Sequence, residues 1–362
     1  MTTIQFQLYR FSFWIAPVTA LSLWQGAAKA LERPEQGLWM WWPVAVTYGI
    51  VPVLDLIFGK VVTRFSVDEQ KRLINDPMLR AIPWICALIW LTTLAWAITL
   101  VPRVLALPAI HIVGFVVSLG MVGGILAINV GHELIHRNNK AERFLGGVLL
   151  ASVCYGVFKV EHVRGHHLRV CTADDPATAR LNETAYAFVP RAIFGTYGHG
   201  WRLERERINR AGLTGAAALL RNEVLHWSLL SVAMAITAFF FAGTAGLVVF
   251  GIASLVAIVE LELVDYIEHY GLVRHRDATG KLEPVHYVHS WDYAGWLTNA
   301  FLINLQRHSD HHAHGGRAYG ALNNHDEAPQ LPVSYAGMLV VALIPPLYRA
   351  MIHPRLRRTT LS

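Results

Sequence analysis

Six apolar stretches constrain this chain more than any other feature. They run roughly from Phe11 to Ala28, Leu38 to Phe58, Ile82 to Val101, Leu107 to Val130, Leu225 to Gly243 and Thr244 to Asp265. The hydrocarbon core of a bilayer takes about 20 mostly apolar residues per helix, so each stretch reads as a span. The expected fold class is therefore an all-α integral membrane protein with six transmembrane helices. The last two stretches are separated only by Ala242-Gly243-Thr244, which predicts a tight helical hairpin. Two further apolar runs, Phe144 to Phe158 and Tyr335 to Leu347, are too short to cross. The second is also cut by Pro345-Pro346, and both read as interfacial or re-entrant pieces. The N-terminus has no short apolar segment followed by a small-residue cleavage site, so the first span is expected to be retained.

Charge orients this arrangement. The formal net charge of +6 is compatible with nucleic-acid binding in isolation, but the positions of the charges favour a membrane. With six spans, the N-terminus, the loops after spans two and four, and the C-terminal tail share one side. Of the 31 Lys and Arg, only Lys29, Arg33 and Arg103 fall on the other side. The positive-inside bias puts the larger side in the cytoplasm. No nucleic-acid partner is expected, and Trp39, Trp41 and Trp42 read as an aromatic belt at the outer interface. The chain reads as a single membrane-embedded domain over 1–362, with cytoplasmic parts at 131–224 and 266–362. Three cysteines (Cys86, Cys154, Cys171) without a Cys-x-x-Cys pair exclude a disulfide framework, a zinc ribbon and a fused rubredoxin-type iron site.

The cytoplasmic parts hold nearly all of the 18 histidines, and three clusters stand out. They are His132 and His136 in HELIH, His162, His166 and His167 in EHVRGHH, and His308, His311 and His312 in HSDHH. Residues three or four apart lie on one helix face, so each cluster is expected to point its imidazoles to one side. Neutral imidazole is the commonest nitrogen ligand for iron, zinc and copper. Three converging faces predict a polynuclear metal site just inside the cytoplasmic boundary, open to an oily substrate from the bilayer. Span six continues through Glu262, Asp265 and His269 on one face; charged groups at such depth are costly unless they line a polar site. His269 taken alone reads as a structural histidine.

HELIH alone matches the zinc-protease signature, but an intramembrane zinc protease needs one further ligand, not two further clusters. A histidine-rich metal transporter would set its ligands mid-membrane along a pathway, whereas these gather beyond the spans on one side. The sequence resembles the integral-membrane histidine-box family of desaturases and hydroxylases, and within it most closely the bacterial alkane 1-monooxygenases. The resemblance runs from the first span to the C-terminal apolar piece. It is carried by GHELIHR, EHVRGHHLRVCTADDPATA, DYIEHYGLVR and LQRHSDHHAHGGRAYGAL. Two places depart from the family pattern: Asp265-Tyr266 stands where Asn-Tyr is usual, and HAHGGRAYG replaces the usual Pro-Thr-Arg-Arg stretch.

What the resemblance implies is a centre of two non-haem irons held by nine histidines: His132, His136, His162, His166, His167, His269, His308, His311 and His312. Glu133, Glu161 and Asp310, beside ligands, are expected to hydrogen-bond ligand imidazoles from behind, and Asp265, one turn before His269, reads either as an acceptor orienting that imidazole or as a neutral substitution. The implied reaction is hydroxylation of the terminal methyl of an n-alkane by O2. Electrons would come from rubredoxin and its reductase, at the bacterial inner membrane with the site facing the cytoplasm. Hydroxylation of xylene- or cymene-type methyl groups is the nearest alternative, followed by fatty-acyl desaturation. His111, His199, His226, His275, His286, His289, His314, His325 and His353 lack cluster spacing and are expected to play ordinary roles. No residue of the substrate path is assigned by the pattern.

Overall fold

The computed structural model describes residues 2–359, with side chains from Thr2 to Leu356. In chain order its principal helices are α1 (Thr3–Ser12), α2 (Ile15–Glu32), α3 (Pro34–Phe58), α4 (Pro77–Val104), α5 (Ala109–Ile135) and α6 (Lys140–Ala151). A short helical segment α7 (158–169) follows, then α8 (Ala185–Arg210) and α9 (Glu223–His269). The chain closes with α10 (Trp296–Phe301), α11 (His308–Ala313), α12 (Tyr335–Ala342) and α13 (Pro345–Thr359). Among the described residues, β pairing is limited to three isolated bridges.

Four helices, α3, α4, α5 and α9, are long and apolar enough to cross a membrane. The protein is a membrane protein on this ground. The expected first span is interrupted near its start: the Ser12 hydroxyl donates to the Tyr9 carbonyl at 2.7 Å, and the chain turns at Phe13 and Trp14 before α2 begins. Thr19, Ser22, Gln25 and Lys29 then keep α2 less apolar than the other four.

The 47 residues of α9 are two helical arms. Ala242 leaves the helical region (φ −139°, ψ 19°), and Gly243 takes φ 61° and ψ −156°, a conformation open in practice only to glycine. The arms run back against each other, since a Cβ on Gly246 would collide with the Ala238 carbonyl. Ala238 and Phe250 also share a small apolar cluster with Ile98 of α4. The expected hairpin therefore breaks where the sequence places it.

Three anchors hold the cluster-bearing segments on this frame. Asp55 of α3 accepts from the backbone N–H of Leu297 at 2.8 Å and of Thr298 at 3.2 Å, capping α10. Asp292 does the same for α11, accepting from the Ser309 N–H at 2.8 Å and its hydroxyl at 2.6 Å. Such caps stabilise by about 1 kcal/mol each and fix where a helix starts. At the end of α9, the rings of Tyr266, Tyr270 and Tyr348 pack in tilted and edge-to-face contacts with centroids 5.0–5.3 Å apart, tying the end of α9 to α13.

Candidate metal centre

The structure brings all nine histidines together and divides them into two groups. His132, His136, His162, His167 and His311 form one; His166, His269, His308 and His312 form the other. Within each group the candidate ligand atoms lie within 4.8 Å of one another. The first cluster contributes both its rings to the group of five. The other two clusters are split, against the expectation that each would face one way.

The split has a local cause. Residues His162–His166 form a π-helical turn, in which position i lies over i+5 instead of i+4. His162 and His167 are thereby superposed, their Nε2 atoms 3.1 Å apart, and His166 is turned toward the second group. In α11 the ordinary α-helical spacing operates: His308 and His312 share a face with Nε2 atoms 2.9 Å apart, and His311 points to the group of five. A second π-helical turn, Gly124–Asn129, lies just before His132 in α5.

These separations suit a metal. Two imidazole nitrogens bound to one ion at about 2.1 Å stand roughly 3.0–3.4 Å apart at octahedral or tetrahedral angles. His167 and His311 are 3.2 Å apart at Nε2, as are His166 and His312. Nε2 of His132, His136 and His269 is buried with no hydrogen-bond partner, a costly state for a polar atom unless a ligand takes its lone pair. Burial, and then the neighbouring imidazoles, hold His162, His167, His308, His311 and His312 below the ordinary histidine value, so these rings are neutral and available to bind.

Two rings of the group of four are braced from outside. His166 Nδ1 lies 2.9 Å from Asp175 Oδ2, and Asp175 is itself fixed by the Thr178 hydroxyl at 2.6 Å and the Ala177 N–H at 3.1 Å. Burial works against ionisation of Asp175, but the adjacent His166 outweighs it and holds the carboxyl below its usual range. His269 Nδ1 donates to the His289 carbonyl at 3.0 Å, leaving Nε2 to face the site. Glu268 instead meets the inward side: its Oε2 is 3.2 Å from His308 Nε2, the nitrogen that stands 2.9 Å from His312 Nε2, and its Oε1 is buried and unpartnered. Asp175 and Glu268 escaped sequence reasoning, although both sit inside cluster-bearing motifs, CTADDPATA and EHYGL.

The four expected bracing carboxylates are all buried, yet their partners differ from the expectation. Glu133 accepts from the Tyr319 N–H at 3.1 Å and pairs with Arg137. Glu161 lies 2.7 Å from His199 Nδ1, and burial pushes its carboxyl up to about 8. Asp310 gathers His314, Arg317, the Asn323 N–H and His325. Asp265 is beside Glu268 and His269, but the brace on His269 Nδ1 is the His289 carbonyl. Among the described residues, none of the four is hydrogen-bonded to a ring of either group, because each already has other partners or lies beside a ring whose outer nitrogen is taken elsewhere.

An apolar cavity reaches the group of five. Ile125, Leu261, Val264, Phe301, Leu302 and Leu339 line it together with His132, a member of that group. Neutral imidazoles, two of them braced from behind, and an apolar approach would suit a redox metal acting on a hydrocarbon.

The fatty acid desaturase family profile matches residues 108–340. The chain is 40% identical over 346 residues to alkane 1-monooxygenase 2 of Alcanivorax borkumensis, covering 95% of this chain and 89% of that one. It belongs to the fatty acid desaturase family, with the alkane 1-monooxygenases. A second alkane 1-monooxygenase 2, from Pseudomonas aeruginosa, is 37% identical over 352 residues, covering 97% of this chain and 93% of that one. The hydroxylase component of xylene/toluene monooxygenase from Pseudomonas putida is 30% identical over 252 residues, 68% of this chain and 65% of that one. The family match spans both histidine groups, from before His132 to beyond His312.

Proposed function

We propose that this protein is a six-span monooxygenase of the bacterial inner membrane that hydroxylates the terminal methyl of n-alkanes to primary alcohols. The observation that carries the reading is the convergence of nine histidines, five and four, beside an apolar cavity. The names borne by the alkane 1-monooxygenase relatives support the same substrate class. Two non-haem irons bound by these groups would supply the oxygen activation that a strong C–H bond demands and that side-chain acid–base chemistry lacks.

The chain's own residues then have distinct tasks. Asp175 and the His289 carbonyl orient the rings of His166 and His269. The cavity walls exclude water and admit one chain end, so terminal selectivity comes from width and depth, since an alkane offers no hydrogen bond. The distribution of Lys and Arg supports a cytoplasmic site, and rubredoxin with its reductase fits as the electron source. O2 supplies one oxygen atom to the alcohol and the other to water.

The xylene/toluene relative favours a second reading, hydroxylation of aromatic methyl groups. Cells expressing the protein with a rubredoxin system and given octane, hexadecane and p-xylene separate the two. The proposal expects 1-octanol or 1-hexadecanol. Oxidation of p-xylene with no alkanol from either alkane would overturn it.

A further inference from the structure

A second cavity lies away from the histidine groups, where α8 meets the start of α9. It measures about 420 Å3, and its walls include Trp201, Arg202, Arg205 and Asn209 of α8, Leu219 of the short helix Gly215–Leu220, and Asn222. Asn222 caps α9, accepting from the Leu225 N–H at 2.8 Å. One wall therefore stands at the first turn of a helix long and apolar enough to cross a membrane.

Charge around this cavity is out of balance. The buried Glu204 and the half-buried Glu223 adjoin it, but other cations hold both. Glu204 accepts from Arg207 Nε at 2.8 Å and from Arg164 Nη1 at 2.9 Å, while Glu223 takes Lys159 Nζ at 2.8 Å and Arg164 Nη2 at 2.6 Å. Among the described residues, Arg202 and Arg205 neither donate a hydrogen bond nor pair with a carboxylate, and no carboxylate lines the cavity. Glu206, one turn beyond Arg202, is exposed and forms no ion pair. Two like charges on one wall repel each other, and an anion held by both removes that cost. Apolar surface shares the rim: Leu219 is 60% and Leu220 73% exposed, and Trp201 is exposed beside them. Leucines just ahead of a span, an indole and free guanidiniums together match the boundary where hydrocarbon gives way to phosphate headgroups.

We infer that this cavity is a binding site for an anionic phospholipid of the phosphatidylglycerol type. The two guanidiniums take the phosphodiester oxygens through charge-assisted hydrogen bonds, and the acyl chains pass over Leu219 and Leu220. Phosphatidylethanolamine offers the same phosphate, but its ammonium finds no carboxylate in the lining, and that mismatch selects against it. An acidic electron carrier would also be drawn to two free arginines. The exposed leucines on the rim and the position at the start of a span favour the lipid.

The test titrates the detergent-purified full-length protein with phosphatidylglycerol, phosphatidylethanolamine and phosphatidylcholine, counting bound lipid by native mass spectrometry. One phosphatidylglycerol per chain should bind at least about tenfold more tightly than either of the other two. Arg202→Gln and Arg205→Gln should each weaken it about fivefold, and the double variant about 25-fold. Both side chains are exposed, so the fold is not at stake. Arg210→Gln, on the same helix but outside the cavity lining, should leave binding within about twofold of wild type. Equal binding of the three lipids, or unchanged phosphatidylglycerol binding in the double variant, overturns the inference. Displacement of the lipid by millimolar inorganic phosphate would assign the arginines to a free anion. A double variant that keeps its lipid but needs more reduced rubredoxin for half-maximal alkane hydroxylation would assign them to the electron carrier, and either result also overturns the inference.

Discussion

The two histidine groups are built differently. In the group of four every ring is buried, and two are held from outside: His166 by Asp175 and His269 by the His289 carbonyl. In the group of five, among the described residues, no carboxylate is hydrogen-bonded to a ring, and His136 and His167 are only half-buried. The same group reaches the apolar cavity through His132. One half of the centre is thus fixed and closed, and the other is more open, both to the cavity and toward solvent. The contrast teaches that nine clustered histidines need not make two similar sites.

The largest effect should come from removing a braced ligand. His269→Ala is expected to lower alkane hydroxylation by more than about 100-fold and to release bound iron, checked by product formation and metal analysis on one preparation. Full iron with full activity would remove His269 from the ligand set. Next is the brace itself: Asp175→Ala should cost about 10- to 100-fold in activity or metal affinity, and Asp175→Asn, which keeps an acceptor, clearly less. Equal rates for both would show that Asp175 does not orient His166. A competing chelator should then remove metal in two phases, the faster one perturbing signals from His136 and His167, and a single phase would erase the contrast. The smallest change is expected from Glu133→Gln. Glutamine still accepts from the Tyr319 N–H and loses only the Arg137 pair, so activity should stay within about threefold, whereas a base of a zinc protease would be indispensable there.

Much of this was legible in the sequence, and the remainder was hidden for physical reasons. The hairpin between Ala242 and Thr244 could be read because only glycine takes the backbone angles found at Gly243. The nine histidines could be read from clusters and resemblance. Their division into five and four could not, because it depends on a π-helical turn at His162–His166 that shifts His167 over His162, and no residue in HVRGH signals it. Bracing partners were also opaque. Proximity in sequence favoured Asp265 for His269, yet the partner is the carbonyl of His289, twenty residues onward and supplied by a loop. Asp175 reaches His166 across nine residues by a turn. The break before α2 was masked because apolar composition continues through Phe11, Phe13 and Trp14 while the backbone turns. The cavity was invisible for a related reason: its walls come from helices whose facing sides are fixed only by packing.

The central claim is that two ions occupy two unlike histidine groups, and metal content tests it most directly. Detergent-purified wild-type protein, analysed for iron and zinc against protein concentration, should hold about two irons per chain. One zinc per chain with negligible iron would contradict the account.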